Sequence, residues 1–233
     1  MQNGKSILEG YGDLEKGAYL GAIASIATAD RQASPEEIDY LKNLCAAASL
    51  SPQQTEHVVQ AATELSGEEL DRCLDILKNS QLRFSLITDL STFARADDNY
   101  SEEEEQKVQQ IAQYLGVNQQ QFSLLDQFAQ KTVTTDKPAE EVSSPSFLSS
   151  LGLKDQMQKA GINPNGLLKG LLAFAGPMIL RGLLSGAMSR GRGNSGGGFM
   201  GGALGSLIGM LSGGRRFGGS GGLLGRILGR QKF

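Results

Sequence analysis

The chain has 233 residues, 39% of them apolar and 20% charged, with a formal net charge of −3, a length that allows one folded domain or two. The average conceals a division: residues 1–146 hold 11 Lys and Arg against 24 Asp and Glu, a net of −13, whereas residues 147–233 hold 11 against 1, a net of +10. Glycine divides the same way, 7 against 24, and the only cysteines, Cys45 and Cys73, form no CxxC or Cys/His cluster, which argues against a disulfide framework and for reduced thiols in an intracellular protein.

The amino terminus, Met1 to Gly10, lacks the apolar core and cleavage site of a secretion signal, so no export is expected. From Leu14 to about Lys131 apolar residues recur at helical spacing without sustained strand-like alternation, and the expected fold class is all-α. The first helix sets Leu14, Ala18, Ala22, Ile23 and Ile26 inward and ends near Ala29. The second uses Ile38, Leu41, Leu44, Cys45 and Ala48; then come Val58, Val59, Ala62 and Leu65, followed by Leu70, Cys73, Leu74 and Leu77. Phe84, Leu86, Ile87, Leu90 and Phe93 mark a helix ending near Ala96, and Val108, Ile111, Leu115, Phe122, Leu125 and Phe128 complete the core. Helix starts are legible at Ser34 to Glu37, Ser51 to Gln54, Ser66 to Glu69, Ser101 to Glu104 and Asn118 to Gln121, each a capping residue three positions before Glu or Gln. The expectation is a compact bundle of about seven helices over residues 1–135.

Within it one unit is used twice. Ala29-Asp30-Arg31-Gln32-Ala33-Ser34-Pro35-Glu36-Glu37 returns 67 positions later as Ala96-Asp97-Asp98-Asn99-Tyr100-Ser101-Glu102-Glu103-Glu104. At that offset Ile26 falls on Phe93, Leu41 on Val108, Leu44 on Ile111 and Leu50 on Val117, which describes a duplicated helix-loop-helix unit.

Each copy places an Asp at the end of one helix and carboxylates in the first turn of the next. Ser34 with Glu37 and Ser101 with Glu104 are complete capping boxes, and acidic first turns suit the helix dipole without any ligand. Capping does not explain Asp30 and Asp97, which stand where the dipole disfavours negative charge. A cation bridging each Asp to the acidic start of the next helix relieves that repulsion, and Asp97, Asn99 and Ser101 resemble the alternating oxygen ligands of a calcium loop. The chain departs from an EF-hand, since position twelve counted from either Asp is Leu41 or Val108 and position six is not Gly. Metal binding and simple capping both remain open on these residues. The run Glu102 to Glu105 also reads as a solvated helix face. The sole histidine, His57, has no Cys or Asp at ligand spacing, and no triad, phosphate loop or catalytic carboxylate pair is present, so the chain reads as a non-enzyme.

Ala-Asp, a short loop, Ser, and Glu seven positions after the Asp, occurring twice in an acidic helical domain, resembles the TerB-like family associated with tellurite resistance. The matching residues are Ala29, Asp30, Ser34 and Glu37, then Ala96, Asp97, Ser101 and Glu104, over roughly residues 12–131. The resemblance implies a seven-helix bundle with acidic metal sites, here Asp30 with Glu37 and Asp97 with Glu104, holding a divalent ion of the Ca²⁺ or Mg²⁺ type. It also implies a place in membrane-linked stress-response complexes. The family often has Gly after the Asp, where this chain has Arg31 and Asp98; the second loop, with Asp98 and Asn99, offers more oxygen donors.

Lys137 to Pro145 has the composition of a linker, and residues 136–146 are expected to separate the domain from a tail over 147–233. Residues 147–165 are expected to form a short amphipathic helix ending near Gly161. Beyond it glycines fall four apart, at Gly166/Gly170, Gly182/Gly186, Gly201/Gly205/Gly209/Gly213 and Gly221/Gly225/Gly229, a spacing that lets helices approach closely in a membrane or an oligomer. The uncharged stretches Leu171–Leu180 and Phe199–Leu211, 10 and 13 residues, fall short of the roughly 20 that a membrane span needs. Arg190, Arg192, Arg215, Arg216, Arg226, Arg230 and Lys232 separate the apolar blocks, a layout suited to shallow burial among anionic headgroups. In water such a glycine-rich tail is expected to be largely disordered. Nucleic acid is the weaker fit, since only Phe174, Phe199, Phe217 and Phe233 are available to stack on bases.

The leading expectation is therefore a cytoplasmic metal-binding adaptor held at the inner face of a membrane by its tail, with a membrane surface or membrane protein as partner. The alternative is a scaffold without metal that forms homo-oligomers through the glycine repeats.

Overall fold

Eleven helices and no strand make up the described residues of the computed structural model, which are 7–27, 33, 35–63, 68–95, 102–135 and 137–172. They are α1 (Asp13–Ala27), α2 (Pro35–Ala47), α3 (Pro52–Thr63), α4 (Glu68–Leu77), α5 (Leu82–Arg95), α6 (Glu102–Tyr114) and α7 (Gln119–Val133), then the short α8 (Ala139–Val142), α9 (Pro145–Ser150), α10 (Leu153–Lys159) and α11 (Pro164–Gly170). The all-α expectation holds. α1 packs on α3 and α4, α5 packs on α7 and α6, and α1 meets α5, so each copy of the repeat builds around its own first helix.

The duplication is visible in the backbone. α2 and α6 begin and end 67 residues apart, and α3 and α7 begin 67 apart. The paired positions Ile26/Phe93, Leu41/Val108, Leu44/Ile111 and Val58/Leu125 are all buried. α2 and α6 also stop alike. Ser49 N–H donates to Ala46 O at 3.0 Å and Leu50 N–H to Cys45 O at 3.0 Å; Gly116 N–H donates to Gln113 O at 3.0 Å and Val117 N–H to Ala112 O at 2.8 Å. Both are Schellman ends, which satisfy carbonyls that a helix terminus leaves unpaired.

The next helix starts differ. Asn118 and Gln121 form the full capping box, side chain to backbone in both directions at 2.9 and 3.0 Å. In the first copy only half of it forms: Ser51 Oγ accepts from Gln54 N–H at 3.3 Å, while Ser51 N–H donates to Asp13 Oδ1 at 3.1 Å. The Gln54 side chain lies instead over Gly17 of α1, whose missing Cβ leaves it room. Asp13 thereby ties the start of α1 to the start of α3. Ser34, Ser66 and Ser101, the other expected caps, lie outside the described residues.

One core expectation needs correction, and one helix is buried beyond its apolar set. Leu14 is 55% exposed, and α1 buries Tyr19 and Leu20 instead. α5 is buried almost all round, taking Ser85, Thr88, Asp89, Ser91 and Thr92 into the interior with the apolar set. Thr88 and Thr92 satisfy their hydroxyls on Phe84 O and Thr88 O, at 2.9 and 2.7 Å, so the helix's own backbone absorbs their polarity.

The helical packing continues past the expected linker. Val142, Phe147, Leu148, Leu153, Met157 and Leu167 are buried in the same apolar cluster as α1 to α7. The single helix expected over 147–165 is broken into α9 and α10, because Gly152 takes a left-handed conformation (φ 68°) that ends the first turn set and restarts the chain at a new angle. α11 then lies against α5. A Cβ on Gly170 would stand 2.2 Å from Ser85 Oγ and 2.8 Å from Leu82 Cδ2. The first four-residue glycine pair of the tail, read as a membrane or oligomer motif, is thus used for packing inside the domain. The later pairs lie outside the described residues.

Candidate metal centre

Both candidate corners fall between consecutive helices. α1 ends at Ala27 and α2 begins at Pro35, so Asp30 lies between them and Glu37 is the third residue of α2; α5 ends at Arg95 and α6 begins at Glu102, so Asp97 lies between them and Glu104 is the third residue of α6. Asp30 and Asp97 themselves lie outside the described residues, as do the side chains of Glu37 and Glu104. Among the described residues no group of three or more His, Cys, Asp and Glu side chains is placed to hold a metal ion. What the four candidates share is donor chemistry: carboxylate oxygens alone, the set that hard cations such as Ca²⁺ and Mg²⁺ take. In that respect the residues fit the group.

The surroundings of the two corners differ. In the first, Ala33 N–H donates to Ala62 O at 3.3 Å, which pins the entry to α2 against the end of α3. One turn beyond Glu37, the Tyr40 hydroxyl is shielded from solvent without a hydrogen-bond partner among the described residues, and burial pushes its pKa up to about 12. In the second, Arg95 closes α5 and its Nη2 donates to both carboxylate oxygens of Asp126 on α7 at 2.7 Å. A cation at that helix end suits the dipole, and the pair ties the loop's start to α7. The positions equivalent to Arg95 and Asp126 in the first copy are Thr28 and Val59, so the ion pair belongs to the second copy alone.

A second polar centre went unread in the sequence. Tyr19 of α1 and Asp89 of α5 have no solvent exposure, and the Tyr19 hydroxyl donates to the Asp89 carboxylate. Asp89 Oδ2 also accepts the Leu172 N–H at 2.8 Å. Burial, then the Asp89 charge, hold the Tyr19 hydroxyl well above its ordinary pKa. A lone Asp between Thr88 and Leu90, in a run with no other charge between Arg83 and Arg95, was the available signal, since a buried carboxylate needs donors. His57 is exposed on α3 and both cysteines are buried and outside any disulfide; burial pushes the Cys45 thiol up to about 11, the condition of an inert structural cysteine. No helix among the described residues is long and apolar enough to cross a membrane.

Compared with known proteins, residues 17–127 match the family model described as tellurite resistance protein TerB. No curated protein and no solved structure matches the chain. The matched span runs from within α1 to within α7 and takes in both acidic corners, with α8 to α11 beyond it. Residues 17–127 are thus a TerB domain, which makes up a little under half of the chain.

Proposed function

We propose that this chain is a non-enzymatic adaptor of the tellurite-resistance type. Its TerB domain holds a divalent cation of the Ca²⁺ or Mg²⁺ type, with Asp30 and Glu37 supplying oxygens at one corner and Asp97 and Glu104 at the other. The basic tail docks it at the inner face of a membrane, against the surface or a membrane protein.

The observation that carries the metal reading is the register of the repeat. α2 and α6 start 67 residues apart, so each candidate Glu sits at the third helical position after a loop of the same length from its Asp. Capping alone asks for the Ser and the Glu; it does not ask for a second carboxylate in the connection ahead of them. A bound hard cation would draw the two carboxylates of a corner together, leaving its other coordination positions to backbone carbonyls and water.

Calorimetric titration of the full chain with Ca²⁺, Mg²⁺, Zn²⁺ and Mn²⁺ tests this against an Asp97→Ala/Glu104→Ala variant. Saturable heat in the wild type that falls in the variant supports the reading, and equal heats overturn it. For the tail, flotation with anionic vesicles is expected to carry the full chain upward, less so as salt rises; retention in the dense fraction at low salt overturns membrane docking.

A scaffold without metal, self-assembling through the glycine repeats, is the second reading. It is favoured by Gly170, which already serves close helix packing within this chain. The mass of the full chain in solution, measured without metal, separates the two.

A further inference from the structure

The strongest unassigned feature is the face of α5 on which α11 is seated. Leu82, Ser85 and Asp89 follow one another at spacings of three and four, one side of a helix. Ser85 Oγ donates to Leu167 O at 3.1 Å, and Asp89 Oδ2 accepts the Leu172 N–H at 2.8 Å. Before α1, the Tyr11 hydroxyl donates to Gly166 O at 2.9 Å. All three contacts reach backbone atoms of the segment, so they read its conformation and register but not its side chains.

Side-chain identity is read by packing. Leu167, Leu171 and Leu172 are buried, and Gly170 admits no Cβ because Ser85 and Leu82 stand too close. Lys169 is exposed and free to vary. The face therefore selects Leu at 167 and Gly at 170 followed by two apolar residues, within the string Gly-Leu-Leu-x-Gly. The chain carries that pattern a second time, 16 positions on: Gly182-Leu183-Leu184-Ser185-Gly186-Ala187-Met188, with a polar residue again at the variable place.

We propose that the α5 face is a peptide-binding site, that residues 166–172 occupy it within their own chain, and that Gly182–Met188 of a second copy is its exchangeable occupant. One site and two ligand segments per chain leave one segment over, which is what concentration-dependent linkage of copies requires. The segment 166–172 holds the site in the isolated chain because it is tethered, and because Pro164 at the first helical position and the Asn163 cap preorganise α11. Gly182 is preceded by Leu180 and Arg181, without such a cap, and Ala187 stands where Leu171 fills the site, so exchange needs a high local concentration.

The test uses the unmodified full chain and two labelled peptides, residues 163–174 and 181–190, with anisotropy for binding and amide hydrogen exchange for displacement. Both peptides are expected to bind saturably and to accelerate exchange of the Leu172 amide about tenfold, since its Asp89 partner becomes competed for. A 181–190 peptide carrying Gly186→Leu is expected to do neither. Binding that leaves Leu172 exchange unchanged, binding by 163–174 alone, equal behaviour of the Gly186→Leu peptide, or no binding at all each overturns the proposal. Neither metal nor vesicle enters the experiment, so its outcome is separate from that of the adaptor reading.

Discussion

Ser49 and Gly116 stand 67 positions apart and share one backbone conformation, with φ of 55° and 71°. Each is the left-handed residue that ends the second helix of its copy and turns the chain into the third. The conformation suits glycine and strains a residue with a Cβ, so the second copy has the residue the turn calls for and the first does not.

Gly116→Ala isolates that strain, because nothing lies within 4 Å of where the new Cβ would stand. It is expected to cost about 1 kcal/mol of unfolding free energy. Ser49→Gly is expected to shift stability the other way by up to about 1 kcal/mol. Urea midpoints at constant m-value measure both, and a stabilising Gly116→Ala would contradict the account.

Tyr19→Phe removes the hydroxyl that the buried Asp89 accepts from α1 and leaves the ring's packing intact. A buried carboxylate that loses a donor is penalised beyond the loss of one hydrogen bond, and the expected cost is about 2–3 kcal/mol. Chemical denaturation reads it directly. A cost below about 0.5 kcal/mol would mean that Asp89 draws its stabilisation from its other partners.

The repeat and the helix starts were legible because local chemistry specifies them: Asn118 with Gln121, and Ser51 before Pro52, mark helix ends whatever the rest of the chain does. Partner choice was not. Nothing near Ser51 in sequence says that Asp13 will take the place of the Gln54 side chain, since the two are 38 residues apart. The burial of Ser85 and Asp89 was hidden for the same reason, as their partners are Leu167 and Leu172 in a segment whose glycine content and charge resemble a tail. Four-residue glycine spacing states only that something approaches closely; whether that is α5, a lipid or another copy is a tertiary fact. Of the acidic corners, the sequence gives the donors and the helix bounds give their spacing along the chain.

Alkaline pH should destabilise the fold through its buried thiol and phenols. Cys45 is raised from 9.0 to about 11, and Tyr11 and Tyr40 from 10.0 to about 12, in each case chiefly by burial. These groups stay protonated in the fold while the unfolded chain releases protons, so their contribution is complete below pH 9 and is lost as pH rises through 11 to 12. Cys45 alone accounts for on the order of 2 kcal/mol across its window. Cys45→Ala should flatten the decline between pH 9 and 11 in a series of urea titrations, and a thiol reagent at pH 8 should label Cys45 and Cys73 at the unfolding rate. Rapid labelling of the native chain at pH 8 would show the thiols to be accessible.

The seating of α11 can be probed by two alanine substitutions of opposite expected sign. At Gly170 the new Cβ would meet Ser85 Oγ at 2.2 Å and Ser85 Cβ at 2.8 Å, and Ser85 is held within a fully buried helix that has no room to yield. Overpacking of this kind costs about 1–3 kcal/mol. At Gly166 the nearest atom is Tyr11 Oη at 3.1 Å, the far end of a half-buried side chain that can swing aside, and alanine favours the helix over glycine by up to about 1 kcal/mol. Gly170→Ala should therefore destabilise while Gly166→Ala is neutral or mildly stabilising. If Gly170→Ala frees residues 164–172 and leaves α1 to α7 folded, the m-value should fall as well, because less apolar surface remains to be exposed on unfolding. Equal stabilities for the two variants would show that α11 is not held against α5 at the distance that makes Gly170 necessary.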